Sequence, residues 1–541
     1  MNTKHITASL VLDSQLVSKH TFEFVKWCQN SSIINIDCLI KISKQEQSKY
    51  NLLSKYLPSS LLWKIILKLE SFKIKKTLNS NYAKNYDLST LVEKTIIVHQ
   101  SQFKHDKKNF LEKAQRGKIT DLNLDLHIAF EFNDLLGEFR ETSNLGIFVV
   151  HKGCPEKVSI GPLGFEEVLN KNNKTGFSII RYSNEKDCTS VVQSGSFSTQ
   201  NYFSANRENL FLRRNYYIQK LMRSIFEDEV YPEDSQIIPD LASVPETPSF
   251  FHQLNYLGHI FIHILNKIVA KITKKEEIWN VAISKGNWTN IDMKNSFVVD
   301  NPDNHYLADP FVINEKNRDF CFVEDFNIKE SKGAISVYEI LNNTAMRLGG
   351  ALVEPFHLAF PYLFRFESKI YMLPETSENR DIRVYESIDF PLRWKLKKVL
   401  MKDIFAADSM LFEHNAQWWL FSNINFVGGT DVCSELFIFY ADHPFSEKWI
   451  PHKKNPLIVD PSKARNGGIL FQKDEIYRVG QRQEFGIYGR GFSINKILAL
   501  DTEEYEEKTI SRVRPDFFKN IIGTHHLHSN GDFSVFDFRK S

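Results

Sequence analysis

The chain has 541 residues, of which 42% are hydrophobic, 13% aromatic and 25% charged; this sets aside the disordered and collagen-like classes and supplies apolar material for two ordinary cores. Its 68 Lys and Arg against 66 Asp and Glu leave a net charge of +2, too small a field to hold a polyanion, so nucleic acid is excluded as a generic partner. Cys28, Cys38, Cys154, Cys188, Cys321 and Cys433 stand far apart with no CxxC or Cys/His metal spacing, so free thiols, a reducing compartment and no metal are expected.

Met1 to Asp13 lacks a small-residue cleavage pattern and reads as a first strand, not a signal peptide, which implies a cytoplasmic location. A strand at Ile6 to Leu12, a helix around Ser18 to Gln29 and a strand at Ile33 to Ile42 predict a doubly wound α/β start. Helical, lysine-rich text follows from Gln45 to Thr77, then strands at Thr95 to His99, Leu126 to Phe130 and Gly146 to His151. This α/β domain is expected over residues 1–200.

Residues 201–278 read as a helical connector, broken by a proline-spotted segment from Pro232 to Pro248 that suits a surface linker. Within it, 249–275 has apolar residues at helical spacing and Lys267, Lys271, Lys274 and Lys275 near its end. Asn255, His259, His263 and Asn266 interrupt the stretch, so it falls short of a membrane span. The plain reading is a packing helix; the alternative is peripheral contact with a membrane surface.

From Trp279 the text changes to short β-rich runs, and one outline recurs: a small or acidic residue, an apolar strand, a polar turn and a strand with aromatics. The repeats open at Asp309, Phe360, Asp408, Asn466 and Thr524, roughly 50 to 60 residues apart, the period of propeller blades. One hairpin cannot bury both faces, whereas radial stacking hides each blade against its neighbours. Residues 279–541 are therefore expected to form an all-β five-bladed propeller.

In such a ring, residues at one place in successive repeats meet at the axis. Asp309 and Asp408 open the first and third repeats, and His525 and His526 the fifth. His357 and Arg465 precede the second and fourth, and Glu324, Glu375 and Gln481 end second strands. Carboxylates with Arg and His nearby suit glycosyl chemistry, in which one acid protonates a leaving oxygen and another carboxylate serves as base or nucleophile. A structural reading competes: Asp309 before Pro310 caps a turn, and Glu375 pairs with Arg380 or Arg383.

The segments HLAFPYLF (357–364), YMLPET (371–376), ADSMLFEHNAQWWLF (407–421), ARNGGILF (464–471), YRVGQ (477–481), IYG (487–489) and GTHHLH (523–528) resemble the N-terminal propeller domain of the glucosamine inositolphosphorylceramide transferases, which is similar to the arabinanase, levansucrase and invertase five-bladed glycosidases. The resemblance implies carbohydrate handling, with Asp309, Glu375 and Asp408 as the acidic triad and Glu324, His357, Arg465, Gln481, His525 and His526 around a sugar or nucleotide-sugar substrate. In the glycosidases the Glu lies on a later blade than both Asp residues; here it lies between them in sequence.

In the N-terminal half, LGIFVVHKG (145–153), GPLGFEEVLNKNNKTGFSIIR (161–181) and DCTSVVQSG (187–195) resemble the Rossmann-type core of formyltransferases. His151 and Asp187 match that family's site, but Val149 stands where an Asn is expected and offers no donor to an oxyanion, which implies a degenerate site. No GxGxxG or Walker loop is present, and no cofactor is identified. Three functions fit: a sugar transferase or sugar-modifying enzyme of cell-surface polysaccharide or glycolipid biosynthesis, a propeller glycoside hydrolase, or a non-catalytic glycan-binding scaffold.

Overall fold

The computed structural model describes residues 5–43, 58–78, 85–99, 113–130, 136–152, 160–185, 189–227, 247–273, 278–341, 343–428 and 431–540. They fall into two compact units, Met1–Gly195 with Thr199–His263, and Ser196–Ser198 with Ile264–Ser541.

The first unit is built on a seven-stranded sheet in the order Thr95–His99, Ile34–Ser43, Ile6–Leu12, Leu126–Ala129, Ile147–Lys152, Lys174–Tyr182, Thr189–Ser198. The first five strands in that order run parallel, and Lys174–Tyr182 returns antiparallel to Ile147–Lys152, making the sheet mixed. The central strands Ile6–Leu12 and Leu126–Ala129 are buried along almost their whole length, as strands covered on both faces are, whereas Ile34–Ser43 carries Asn35, Asp37 and Lys41 among its buried Cys38, Leu39 and Ile40. Helix Lys19–Asn30 begins at Ser18, whose Oγ accepts the N–H of Thr21, and buries Phe24, Val25 and Cys28. Helix Phe203–Glu227 lies against Lys174–Tyr182, with Tyr217 packed on Phe177 at 4.7 Å.

Of the helical text from Gln45, residues 58–77 lie in helix Pro58–Leu78 and 45–57 lie outside the described residues. So does most of the segment from Pro232 to Pro248. The 249–275 stretch forms helix Phe250–Thr273. It departs from a plain packing helix: Gln253 and Tyr256 are buried, but Phe250, Phe251, Leu254, Phe261 and Ile262 face solvent. No described helix is long and apolar enough to cross a membrane. Cys28, Cys38, Cys321 and Cys433 are free.

The second unit is a five-bladed β-propeller. Blade 1 comprises His305–Glu315, Arg318–Asn327, Lys332–Leu341 and Thr344–Leu352, and blade 2 Ala359–Phe366, Lys369–Glu375, Asp381–Asp389 and Arg393–Lys402. Blade 3 has Ala406–His414, Gln417–Ile424 and Glu435–Ala441 with two short outer pieces, and blade 4 has Asn466–Gln472, Glu475–Glu484, Ile487–Leu500 and Tyr505–Val513. The inner hairpins of blades 1 to 3 turn through two residues that are both left-handed, Lys316-Asn317, Glu367-Ser368 and Asn415-Ala416, the turn whose twist matches paired strands.

Blade 5 combines the two ends of the unit: Leu527–Ser529 and Ile521–Gly523 pair with Phe533–Lys540, which in turn pairs with Ile278–Lys285, itself paired with Phe297–Val299. The inner strands touch in sequence from blade 1 to blade 5 and back to blade 1, so the ring is closed. Apolar packing follows it: one cluster runs through blades 1 to 4, a second joins Leu470 and Val479 to Leu527 and Phe536, and a third joins Ile283 and Val535 to Val312 and Val323.

Phe536 is buried in the second of these clusters, opposite Ala282 across the closing pair. Phe536→Ala is expected to lower stability by about 3–5 kcal/mol in urea unfolding, whereas truncating the solvent-facing Ile510 to Ala costs less than about 1 kcal/mol. Equal midpoints for the two variants would mean that the ends of the unit do not hold the ring shut.

Candidate active site

The inner strands of blades 1, 2 and 3 share one irregularity. After Ala308, Ala359 and Ala407 the register with the second strand slips, resuming at Phe311, Tyr362 and Met410. The residue after each alanine is left-handed: Asp309 at φ 50°, Phe360 at 46° and Asp408 at 46°. A β-bulge re-aims the side chain at its kink, and holding a non-glycine there costs ~1–2 kcal/mol, a kind of strain that gathers at functional sites. Opposite the three alanines stand Glu324, Glu375 and Asn423.

In blade 4 the equivalent stretch is Asn466-Gly467-Gly468. A Cβ on Gly467 would lie 2.3 Å from the carbonyl oxygen of His525, and Gly468 sits at φ +126°, so the close approach of blade 5 leaves no room for a side chain.

Asp408 is buried and fully engaged. Arg465 Nε and Nη2 donate to its two carboxylate oxygens at 2.6 and 3.2 Å, Gln481 Nε2 donates at 2.8 Å, and Asn466 Nδ2 donates to its carbonyl at 2.9 Å. Burial pushes the Asp408 carboxyl up to about 7 against the pull of Arg465. Its backbone N–H donates to Glu375 Oε2 at 3.3 Å, Ser377 Oγ donates to Glu375 Oε1 at 2.6 Å, and Arg465 Nη2 lies 3.6 Å from Glu375. Arg383 pairs with Asp381, not with Glu375, and Arg380 Nη2 donates to the carbonyl of Asp403. Arg465 also lies 5.2 Å over the ring of half-buried Tyr488.

Asp309 is equally buried but differently held. Its backbone N–H donates to Asp537 at 3.2 Å, while its Oδ1 has no hydrogen-bond partner. His525 Nε2 and His526 Nδ1 each lie 3.8 Å from that oxygen. His525 presents its other nitrogen to Asp537 Oδ2 at 2.6 Å and stacks on Trp279 at 4.1 Å. Asp537 Oδ1 accepts the backbone N–H groups of His525 and His526 at 2.9 and 3.1 Å.

Burial raises Asp309 to about 7, a shift that His525 opposes and Asp408 increases. Burial works against charge on His525, yet Asp537 and Asp309 hold its imidazole above the usual value; burial likewise disfavours Asp537⁻, but His525 keeps that carboxyl low. His526, by contrast, is driven to about 3 by burial and lies edge-on to Phe311 and Phe360 at 4.5 and 5.4 Å, a neutral part of the wall.

Burial and the charges of Asp309, Glu375 and Asp408 push Glu324 well above the carboxylate range. His357 stands at its side, Nε2 at 3.7 Å from Glu324, with Nδ1 accepting the N–H of Gly333 at 2.8 Å. The nine predicted propeller residues are thus gathered around one axis, but Phe360 leaves blade 2 without an acid at its bulge.

Sequence reasoning missed Asp537, Tyr488, Trp279 and Asn466. A buried Asp within the apolar run of Phe533–Lys540 was the available signal. Among the described residues, Asp309, His525 and Asp537 are the grouping with metal-ligand spacing, their ligand atoms within 4.8 Å of one another.

In the first unit, His151 is buried at the end of its strand opposite Ser178, and Asp187 lies outside the described residues. Val149 is buried between Ala129 and Ile180.

Several known proteins are similar to this chain. Glucosamine inositolphosphorylceramide transferase 1 of Oryza sativa subsp. japonica is 37% identical over 212 residues, 38% of this chain and 28% of that protein. Its Arabidopsis thaliana counterpart is 36% identical over 208 residues, 38% of this chain and 27% of that protein. The chain therefore spans under a third of the length of these curated relatives. Among solved structures, the catalytic domain of Coprinopsis cinerea GH62 α-L-arabinofuranosidase is 10% identical with a TM-score of 0.35, covering 48% of this chain and 97% of that one. Bombyx mori GH32 β-fructofuranosidase is 10% identical with a TM-score of 0.32, covering 48% and 56%. Residues 265–521 match the family described as glucosamine inositolphosphorylceramide transferase 1, N-terminal.

Proposed function

We propose that the propeller is a carbohydrate-active module that binds a sugar or nucleotide sugar at its axis and transfers the glycosyl group to an acceptor hydroxyl. The observation that carries this reading is the meeting of Asp309, Glu324, Glu375 and Asp408, carboxylates from three blades, so close that Asp309, Glu375 and Asp408 push up Glu324, Asp408 pushes up Asp309 and Glu375 pushes up Asp408. The match of this region to a transferase family supports the class of substrate.

In the proposed reaction the bond from the anomeric carbon to the leaving oxygen breaks and one to the acceptor oxygen forms. One carboxyl delivers a proton to the leaving group and a second takes the acceptor's proton. Asp309 suits proton exchange, since one of its oxygens is uncommitted and its carboxyl changes state at about 7. His525, whose protonated form Asp537 favours, steadies Asp309 when it is ionised. Asp408, fixed by Arg465 and Gln481, orients Glu375 through its N–H. By its resemblance, the first unit is a formyltransferase-like fold that has lost formyl transfer, Val149 supplying no oxyanion donor; a cytoplasmic place of action belongs to the same proposal.

The full chain incubated with a panel of nucleotide sugars and soluble glycan acceptors should form a glycosylated product detectable by mass spectrometry, and Asp309→Asn or Glu375→Gln should each cut turnover by ~10²–10⁴-fold. Release of free sugar from aryl glycosides without an acceptor would reassign the site to hydrolysis. Binding without turnover, unaffected by both substitutions, would reduce it to a lectin-like role.

Asp309 also links site to stability. A carboxyl held at about 7 in the folded chain and near its ordinary value when unfolded contributes stability at low pH and loses it as pH rises through about 7. Asp309→Asn, which tolerates the left-handed backbone, is therefore expected to raise the Tm at pH 8 by a few degrees and to leave it close to wild type at pH 4. A Tm gain at pH 4 as large as that at pH 8 would refute the raised ionisation of Asp309.

A further inference from the structure

Helix Pro58–Leu78 and the part of helix Phe250–Thr273 that belongs to the first unit bury one face in the same cluster. Trp63 and Ile66 of Pro58–Leu78 and Tyr256 of Phe250–Thr273 pack there with Phe165 and Phe203. Tyr256 Oη donates to Glu70 Oε1, whose Oε2 accepts the N–H of Ser204 at 2.8 Å, so the buried Tyr256 and Glu70 are paired. The opposite faces should be polar in an ordinary two-layer fold. They are not: Leu61, Ile65 and Leu69, one helical turn apart, are 62%, 48% and 64% exposed, and on the other helix Phe251 and Phe261 are 77% and 66% exposed with Phe250, Leu254 and Ile262 beside them. A soluble surface rarely leaves so many large apolar side chains exposed on two helices that cover one core cluster without a use for them.

The geometry points to a membrane-docking face, in which these two helices lie flat on an anionic lipid surface with Leu61, Ile65, Leu69, Phe251 and Phe261 in the acyl boundary. The charge pattern selects that occupant. Lys64 and Lys68 are interleaved with the leucines on the exposed face, and Glu70, the acid within these two helices, is buried. Lysines beside an apolar stripe reach up to anionic headgroups while their stems cover hydrocarbon. A second copy of the chain fits less well, because an isologous pairing would bring lysine faces together with no acid from these helices to neutralise them. The proposal is independent of sugar transfer, since no residue of the propeller axis takes part.

The full chain should co-sediment with vesicles of phosphatidylcholine containing phosphatidylglycerol, less with phosphatidylcholine alone, and less as salt is raised. The variant carrying Leu61→Gln, Leu69→Gln, Phe251→Gln and Phe261→Gln removes only exposed side chains, so its circular dichroism should match wild type while vesicle binding falls at least about tenfold. Lys64→Gln with Lys68→Gln should lower binding to anionic vesicles alone. A wild-type chain that stays in the supernatant with both vesicle types overturns the proposal, as does a four-residue variant that binds as well as wild type. A dimer that the variant dissociates, with no vesicle binding by either form, assigns the face to a second copy and also overturns it. Turnover with a soluble acceptor should be equal in variant and wild type.

Discussion

After an alanine at the start of an inner strand, one extra residue is inserted and the backbone passes through the left-handed region. That kink turns a side chain from the blade interface toward the axis, and because blades 1 and 3 both carry it, Asp309 and Asp408 meet in spite of the long chain between them. An L-residue resists this conformation, so the ring must hold it in place, and the propeller's rigidity becomes a condition of the site's chemistry. Burial then does the electrostatic part: carboxyls placed together away from water cannot all stay ionised, and their protons are redistributed among Asp309, Glu324 and Asp408.

The two aspartates are treated unequally by their neighbours. Arg465 and Gln481 immobilise Asp408, whereas Asp309 faces a histidine across 3.8 Å and keeps an oxygen without a donor. At the corresponding place in blade 2, Phe360 packs edge-on to His526 and Phe311, so that bulge adds an apolar face and no third acid. Divergent environments for paired carboxyls are the usual means of giving one a structural duty and the other a proton to exchange.

Much of the propeller was legible in the sequence because its information is local: each inner hairpin repeats the same alternation and turn at near-constant spacing, and repeat position alone gathered Asp309, Glu324, Glu375, Asp408, Arg465 and His525. What stayed hidden is non-local. No sequence feature of Ile278–Lys285 announces that its partner is Phe533–Lys540, and Asp537 lay unseen because an acid inside a strand reads as solvent-facing until the partner strand is known. In the first unit the five strands predicted between Ile6 and His151 all appear, but Lys174–Tyr182 and Thr189–Ser198 complete the sheet unforeseen, and nothing in the residues of Lys174–Tyr182 marks it as antiparallel to Ile147–Lys152. Helix Phe250–Thr273 was legible as a helix; that its outer face is apolar too could be judged only once Tyr256 and Gln253 were seen to supply the packed one.

The pairing of Ile278–Lys285 with Phe533–Lys540 also sets a timetable. During synthesis the earlier strand leaves the ribosome long before its partner, and its edge must wait, unpaired, while four blades are made. Contacts of such sequence separation form late and slowly. The nascent propeller is accordingly an open arc for most of its translation, dependent on chaperones or on speed of completion to keep that edge from pairing with another chain.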